Sequence, residues 1–211
     1  APRTGRLQGD AGRIPSGAVA SHQGTIVYAG PRDGLDRGVD LTANGITIDA
    51  HGGSVVPGFV DPHTHVVFAG DRPAELRRRL GGASYSEIAA EGGGILSTVT
   101  ATRSASEEDL FEATARRLDE MLANGTTTCE AKSGYGLTTE SELKLLRVIA
   151  RLQQAHTIEI APTFMGAHEI PAEHRAAPEA YVALVCEEMI PAVASARLAE
   201  WCDVFCEDGV F

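Results

Sequence analysis

Residues 55–72 restrict the possible folds of this sequence more than any other stretch, and they read VVPGFVDPHTHVVFAGDR. Apolar runs rich in β-branched and aromatic residues stand on both sides of an Asp-Pro-His-Thr-His segment, which predicts a buried strand. Because side chains alternate across a strand, His63 and His65 should project to the same face. Two neutral imidazoles that converge on one point suit zinc, iron or another transition metal ion.

The alternative interpretation is a pair of ordinary histidines, which is the more frequent origin of a bare His-x-His pair. Two imidazoles buried side by side would each need a hydrogen-bond partner, however. Asp61 lies two residues earlier on the same predicted face, where its carboxylate would orient one of the imidazoles. This context favours a metal site that contains His63 and His65.

Strand and helix patterns alternate from residue 106 onward. Ser106 precedes three acidic residues and predicts a helix start, and residues 139–142 have capping-box spacing. The predicted strands are 126–131, 157–164 and 203–207. The predicted helices are 106–123, a second that opens at 139–142 and carries Leu143, Leu146 and Ala150, and 178–201 with an interruption at Pro191. The predicted apolar stripe of the first helix is Phe111, Ala115, Leu118 and Leu122. This alternation predicts an α/β fold with a parallel sheet.

The first part of the chain carries no recognisable chemistry. Residues 24–30 and 45–49 read as short strands between glycines within a β-rich segment, 1–54. Residues 73–91 read as a polar helix, and the arginines at 77–79 are predicted to be a solvated face. The three glycines at 92–94 then predict either a flexible loop or a loop whose amides approach an anion, and both interpretations stay open.

The net charge of −11 disfavours a nucleic acid or an anionic membrane as a partner. An anionic small substrate remains compatible, because a local arginine outweighs the global field at contact distance. The N-terminal residues lack the apolar core of a signal peptide, and no apolar run has membrane-spanning length, so we expect a cytoplasmic protein. We also expect the four cysteines to be reduced packing residues, namely Cys129, Cys186, Cys202 and Cys206.

Chemically capable side chains follow the predicted strands. Arg72 could form a bidentate clamp for a carboxylate or a surface ion pair. Tyr135 lies between glycines that would let a ligand approach, and exposure in a loop is its alternative. His168 follows a strand at a position that favours a site residue over a core residue. Glu207 has a weak case for orienting a metal ligand.

A resemblance to a known family accompanies these motifs. Residues 57–65 resemble the first-strand signature of the amidohydrolase superfamily, which are metal-dependent hydrolases built on a (β/α)8 barrel. Residues 66–72, 92–99, 132–137, 163–168 and 203–211 resemble the imidazolonepropionase family of that superfamily. The resemblance implies roughly the first half of a TIM-like barrel, at 55–211, preceded by part of a small β-sandwich, at 1–54. We therefore expect a partial chain.

The resemblance also implies an activity and a set of site residues. The activity is the hydrolysis of 4-imidazolone-5-propanoate to N-formimidoyl-L-glutamate in histidine degradation, with one zinc or iron ion. His63 and His65 would hold the metal with a further His and an Asp from later strands, which no residue of this chain matches. Arg72, Tyr135 and His168 would bind the substrate, and His168 would also act in catalysis by stabilising an oxyanion.

Two alternatives to this function remain. One is another cyclic-amide hydrolase or nucleobase aminohydrolase of the superfamily, in which a carboxylated Lys132 would bridge two metal ions. The other is a non-catalytic half-barrel. The implied partners are a small anionic substrate and a second copy of the chain in a homodimer, with no nucleic acid and no membrane.

Overall fold

The computed structural model describes residues 4–40, 42, 44–84, 87–88 and 93–207. The chain divides into two compact units, Ala1–Val55 and Val56–Phe211. Among the described residues, no helix is long and apolar enough to cross a membrane.

The first unit contains one antiparallel hairpin, β1 (Gly17–His22) with β2 (Thr25–Pro31). Gln23 and Gly24 join the strands, and both have positive φ angles, of 49° and 78°. Two successive residues with positive φ match the right-handed twist of a hairpin. A one-turn helix, α1 (Leu35–Gly38), follows β2.

The strand predicted at 45–49 is wrong, because these residues have no regular structure and no strand partner in the described part of the chain. Ile46 and Ile48 are 91% and 87% exposed. A β-branched pattern becomes a strand only when a neighbouring strand supplies its hydrogen bonds.

The described residues of the second unit form a four-stranded sheet in the order β3-β4-β5-β6, and every pair is parallel. The strands are β3 (Phe59–Asp61), β4 (Thr126–Lys132), β5 (Glu159–Ala167) and β6 (Trp201–Val204). Parallel strands that pair in chain order, with helices between them, form the first half of a (β/α)8 barrel. The predicted α/β fold is confirmed.

Helices connect these strands. They are α2 (Pro73–Leu80), α3 (Ile95–Ser104), α4 (Glu107–Ala123), α5 (Thr139–Ala155), α6 (Pro178–Leu184) and α7 (Ile190–Ala196), with a π-helical turn at Val185–Met189 between the last two. The predicted start of α4 is confirmed, since Ser106 and Asp109 form a reciprocal capping box. The cap of α5 is Thr138, whose hydroxyl accepts from the Ser141 amide, one residue earlier than predicted.

The last predicted helix is interrupted near Pro191, as expected, and it ends earlier than predicted. Pro191 has no amide hydrogen and its ring crowds the carbonyl four residues before it, and the π-helical turn lies directly upstream of it. Arg197 adopts a left-handed conformation with a φ of 54° and ends α7. Trp201 therefore starts β6 and does not belong to the helix.

The core lies where α4 and α5 pack on the sheet. Leu118 of α4 and Leu145 and Ile149 of α5 are completely buried there. The buried stripe of α4 shares Leu118 with the predicted stripe and otherwise contains Leu110 and Thr114. Of the other predicted members, Phe111 and Ala115 are only partly buried and Leu122 is 37% exposed.

The prediction of a buried strand at the histidine pair is wrong in length and burial. Strand β3 has three residues, and Phe59 and Val60 are 57% and 64% exposed. β3 pairs with β4 alone and forms the edge of the described sheet, so no described strand pairs with its other edge. Val66 and Val67, after the histidines, are buried as expected.

Helix α2 ends at Leu80, before the predicted end at residue 91, and the arginines at 77–79 are exposed as expected. Of the three glycines, Gly92 lies outside the described residues. The Gly94 amide donates to Oε1 of Glu75 at 2.9 Å, so a carboxylate of the chain itself occupies this amide, which one interpretation assigned to an external anion.

The four cysteines of the described chain have free thiols, but only Cys129 is buried. Cys186, Cys202 and Cys206 are exposed, which contradicts their predicted packing role.

Candidate active site

The predicted site residues lie after the carboxyl ends of consecutive strands. His63 and His65 follow β3, Tyr135 follows β4, and His168 follows β5. Parallel strands deliver their carboxyl ends to one edge of a sheet, and in barrels of this type that edge carries the active site. The sequence places these groups far apart, and the parallel sheet brings them together.

Four aromatic rings meet at this edge. The rings of His65 and His168 stack with centroids 4.5 Å apart and an interplanar angle of 12°. The Tyr135 ring lies 5.4 Å from each of these two imidazoles, and the His63 ring lies 5.5 Å from that of His65. We call His63, His65, Tyr135 and His168 the ring cluster.

Backbone carbonyls of the loop after β4 orient two of the imidazoles. Nδ1 of His168 lies 2.8 Å from the Gly134 oxygen, and Nδ1 of His65 lies 3.3 Å from the Ser133 oxygen. Since a carbonyl can only accept, each Nδ1 carries the hydrogen, and each neutral ring keeps a lone pair on Nε2.

Both imidazoles are neutral near pH 7. Burial, together with the neighbouring His168, lowers the pKa of His65 from 6.5 to about 4. Burial also lowers the pKa of His168, against the hydrogen bond to Gly134. A neutral imidazole with Nδ1 bonded to a carbonyl is the state in which histidine binds a metal ion through Nε2.

The donor atoms present fit part of a transition-metal site. His63 and His65 supply two adjacent imidazoles, and His65 has the carbonyl partner that metal-bound histidines usually have. Within the described residues, no group of three or more His, Cys, Asp or Glu side chains is arranged to hold a metal ion. A catalytic zinc usually has three protein ligands, so this pair is an incomplete set.

Asp61 does not have its predicted partner. Its Oδ1 accepts from the backbone amide of His63 at 3.3 Å, while His65 is oriented by the Ser133 carbonyl. The Asp61 carboxylate therefore shapes the turn at the end of β3 and orients no imidazole.

A pocket of about 270 Å³ adjoins the ring cluster. It is lined by Phe68, Gly70, Asp71, Arg72, Thr98 and Tyr135. The Arg72 side chain is 39% exposed, and its Nη1 lies 3.6 Å from Glu75. Tyr135 thus belongs both to the ring cluster and to the pocket wall, which joins Arg72 to the imidazoles in one continuous region.

Lys132 is a buried ammonium. Its Nζ lies 2.7 Å from Oδ2 of Asp203 and 2.8 Å from Oε1 of Glu130, and that Glu130 oxygen also accepts from the Thr163 hydroxyl at 2.7 Å. Burial by itself would lower the pKa of Lys132, but the Asp203 and Glu130 carboxylates raise it above its usual value. Carboxylation requires a neutral amine, so this environment opposes it.

Sequence reasoning missed the groups that hold the ring cluster in place. Glu142 was interpreted only as a capping-box residue, but it is completely buried and binds the amides of the loop that carries Tyr135. Arg117 donates to the carbonyls of Val66 and Phe68 at 2.9 Å, and its guanidinium covers the Phe68 ring. The glycines around Tyr135 were the available signal for such a supported loop.

Glu207 has no supporting contact for its predicted role. It lies exposed after β6, and within the described chain no hydrogen bond or ion pair involves its carboxylate. Residues 208–211, which belong to the last motif of the sequence analysis, lie outside the described residues.

Comparison with known proteins agrees with this arrangement. Three similar proteins carry the name imidazolonepropionase: one from Symbiobacterium thermophilum is 55% identical over 211 residues, one from Geobacillus kaustophilus 51% over 212, and one from Haloarcula marismortui 51% over 195. The first two alignments cover 100% of this chain and 50% of the relative, and the third covers 92% and 46%. The chain thus spans about half the length of the curated relatives it matches.

The match to a family model includes the whole ring cluster. The model described as the amidohydrolase family matches residues 54–205, from the segment before β3 to the end of β6. Members of this family generally use a divalent metal ion. With its parallel half-barrel and its histidine pair after the first barrel strand, the chain belongs to the amidohydrolase family.

Proposed function

We propose that the protein containing this chain hydrolyses 4-imidazolone-5-propanoate to N-formimidoyl-L-glutamate, with zinc or iron as its metal. The observation that carries this proposal is the continuous region formed by Arg72, Tyr135, His168 and the histidine pair. It offers a cation for a carboxylate, flat rings for a planar heterocycle and imidazoles for a metal ion. The names of relatives about 50% identical over the whole chain support the same activity.

His63 and His65 would hold the metal ion. When bound, a zinc or iron ion lowers the pKa of a water molecule and so supplies the nucleophile for attack on the ring carbonyl. Because the pKa of His65 is lowered, its imidazole needs to lose no proton before it binds a metal near pH 7.

Arg72 would bind the propanoate carboxylate. Arg72 lines the pocket, and its Nη1 lies 3.6 Å from Glu75, which is too long for a strong hydrogen bond. The guanidinium therefore keeps donors for a bidentate pair with the substrate. Tyr135, on the same wall, would contact the ring of the substrate, between the carboxylate site and the imidazoles.

His168 would act on the substrate through Nε2. Because Nδ1 donates to the Gly134 carbonyl, the neutral ring presents an acceptor at Nε2, which suits a ring N–H of the imidazolone. Stabilisation of an oxyanion needs a donor at that atom. The catalytic role predicted for His168 therefore requires that Nε2 takes up a proton during the reaction.

The charged Lys132 makes the second candidate function less suitable. A hydrolase with two metals bridged by carboxylated Lys132 needs a neutral amine at this position, whereas the ammonium is held between Asp203 and Glu130. A non-catalytic half-barrel would have no need for an arginine, a tyrosine and three histidines along one edge.

Homodimer formation and a cytoplasmic location stay predictions.

The test uses the full-length protein encoded by the gene that contains this chain, loaded with zinc or iron. We expect it to consume 4-imidazolone-5-propanoate, followed by the ultraviolet absorbance of the substrate, and the double variant His63→Ala, His65→Ala to lose both turnover and bound metal. Metal binding without turnover would contradict the proposed substrate and favour a different cyclic amide.

A further inference from the structure

The loop Ser133–Leu137, which lies between β4 and α5, has positive φ angles at two positions, and the one at Leu137 is unfavourable. Gly134 has a φ of 99°, and Leu137, which has a β-carbon, has a φ of 52°. Left-handed conformations of this kind persist when surrounding contacts hold them, and they concentrate at functional sites. The loop carries Tyr135, so the contacts that hold it bear directly on the ring cluster.

Glu142 holds the amide groups of this loop. Its side chain is completely buried in the first turn of α5, and its carboxylate accepts from the amides of Gly134 at 3.0 Å, Gly136 at 2.8 Å and Leu137 at 2.8 Å. The Ser133 hydroxyl also bonds to the Glu142 carboxyl group, and its Oγ accepts from the Met165 amide of β5 at 2.9 Å. A buried carboxylate is tolerated when hydrogen bonds satisfy it, and here every partner is a donor.

Arg103 holds the carbonyl groups of the same loop. Its Nε donates to the Gly136 oxygen at 2.6 Å and its Nη2 to the Leu137 oxygen at 3.1 Å, while Nη1 forms an ion pair with Glu173 at 2.8 Å. Arg103 belongs to α3 and Glu142 to α5. The loop is thus held by a carboxyl group that takes its amides and a guanidinium that takes its carbonyls. Burial raises the pKa of Glu142, against the hydrogen bonds it accepts.

The held loop in turn sets the orientation of the site residues. The Gly134 oxygen accepts from Nδ1 of His168, and the Ser133 oxygen accepts from Nδ1 of His65. Gly134 has no room for a β-carbon, which would lie 2.9 Å from His168 and from the Met165 oxygen. A shift of the Gly134 peptide therefore moves both the acceptor of His168 and the backbone of Tyr135.

We propose that Glu142 and Arg103 are positioning residues that set Tyr135 and His168 in the geometry needed to bind the imidazolone ring. This inference rests on the proposed function for the identity of the ring. Both side chains bond to the Ser133–Leu137 backbone, and through it they would act on the ring cluster.

The alternative is that Glu142 only stabilises the fold, and a matched control separates the two roles. Leu152 is also buried in α5 and lies about 15 Å along the helix axis from Glu142, near the opposite end of the helix from the loop. Leu152→Ala creates a cavity and lowers stability without a change at the ring cluster. Activity differences between variants of similar thermal stability then report positioning.

The experiment compares Glu142→Gln, Arg103→Met and Leu152→Ala in the full-length, metal-loaded protein. In Glu142→Gln an amide oxygen at Oε1 keeps the bonds from Gly136 and Leu137 and the longer one of 3.2 Å from Gly134. The NH2 group then replaces Oε2, which accepts from the Gly134 amide at 3.0 Å, and sets two donors against each other. We expect KM for 4-imidazolone-5-propanoate to rise roughly 10- to 100-fold at unchanged metal content. Leu152→Ala should keep KM within about twofold while lowering the melting temperature at least as much.

Amide hydrogen exchange of the peptide that contains residues 133–137 gives a second readout that needs no substrate. Exchange there should accelerate in Glu142→Gln and stay unchanged in Leu152→Ala. If Glu142→Gln fails to fold, Arg103→Met provides the same comparison, because Arg103 is partly exposed and its loss leaves no buried charge in the core.

The outcomes distinguish the two proposals. An active wild type whose Glu142→Gln and Arg103→Met variants match Leu152→Ala in KM would overturn the positioning role and leave the proposed function intact. An inactive wild type with full metal content would overturn the proposed function, and with it the role of Glu142 toward this substrate.

Discussion

Single residues of the ring cluster have their chemistry set by backbone partners. The sequence does not show which ring nitrogen of His65 or His168 carries the hydrogen. In the folded chain, the carbonyls of Ser133 and Gly134 accept from the two Nδ1 atoms and so place the hydrogen there. The resulting lone pairs on Nε2 leave both rings as acceptors, which the roles proposed for His65 toward a metal ion and for His168 toward a substrate require. The tautomer of both rings thus follows from one loop, whereas burial lowers the pKa of each ring and keeps it neutral.

Arg72 is the residue whose substitution tests substrate binding most directly. Arg72→Ala removes the only cation that lines the pocket of about 270 Å³ within the described chain. A hydrogen bond to a charged group contributes about 1.5–3 kcal/mol, so we expect KM to rise roughly 10- to 100-fold with kcat changed by less than about threefold. Initial rates over a range of substrate concentrations measure both.

Arg79→Ala is the control for the loss of a positive charge. Arg79 is exposed near the end of α2 and lies outside the pocket. Its substitution should leave KM unchanged. A KM in Arg72→Ala equal to that of Arg79→Ala would show that Arg72 does not bind the carboxylate.

Strands β4 and β6 are not neighbours in the sheet, and an ion pair links them across β5. Lys132 of β4 reaches Asp203 of β6, while Glu130 of β4 bonds to both Lys132 and Thr163 of β5. These side chains lie on the same face of the curved sheet. The network therefore fixes the spacing of β4, β5 and β6, and Tyr135 and His168 follow the first two of these strands.

Lys132→Met tests this link between strands. The substitution keeps the volume but leaves Glu130 and Asp203 without their cation. Breaking a buried pair costs roughly 3–5 kcal/mol, and we expect about 3 kcal/mol because the Asp203 side chain is 41% exposed. Urea-induced unfolding, followed by circular dichroism, measures this loss.

Arg147→Met supplies the comparison for the ion pair. Arg147 pairs with Glu107 at a more exposed position, with 45% and 35% of the two side chains accessible. The free energy of unfolding of this variant should fall by less than about 1 kcal/mol. Equal losses in the two variants would show that the buried network contributes no more than a surface pair.

The whole molecule should become less stable in mild acid when no metal is bound. The pKa of His65 is 6.5 in the unfolded chain and about 4 in the folded chain. A depressed pKa contributes stability that is complete above pH 6.5 and is lost as the pH falls toward 4, because only the unfolded state takes up the proton in this range. The free energy of unfolding should fall by at most roughly 3 kcal/mol from this group.

Unfolding of the chelator-treated protein at several pH values between 7.5 and 4 measures this dependence. His65→Gln, whose side chain does not titrate, should show a shallower decline over the same range. If the wild type and His65→Gln decline in parallel, other groups cause the acid sensitivity.

The sequence by itself determined the elements that depend on local interactions. Ser106 with Asp109 specified the start of α4, because a capping box is complete within four residues. The alternation of strands and helices specified the parallel sheet, since a helix between two strands returns the chain to the same edge. The motif around His63 and His65 specified the family.

Only the tertiary structure decided the burial and the partners of these residues. The apolar residues before His63 predict a buried strand, but β3 is the edge strand of the described sheet. Burial depends on which element lies alongside a strand, and the sequence of the strand does not contain that information. The spacing of residues 139–142 predicts a capping role for Glu142, but its side chain binds amides of the Ser133–Leu137 loop. Asp61 accepts from the backbone amide of His63 and not from an imidazole. Hydrogen-bond partners are selected by distance in space, which the folded sheet and its loops fix and the order of residues does not.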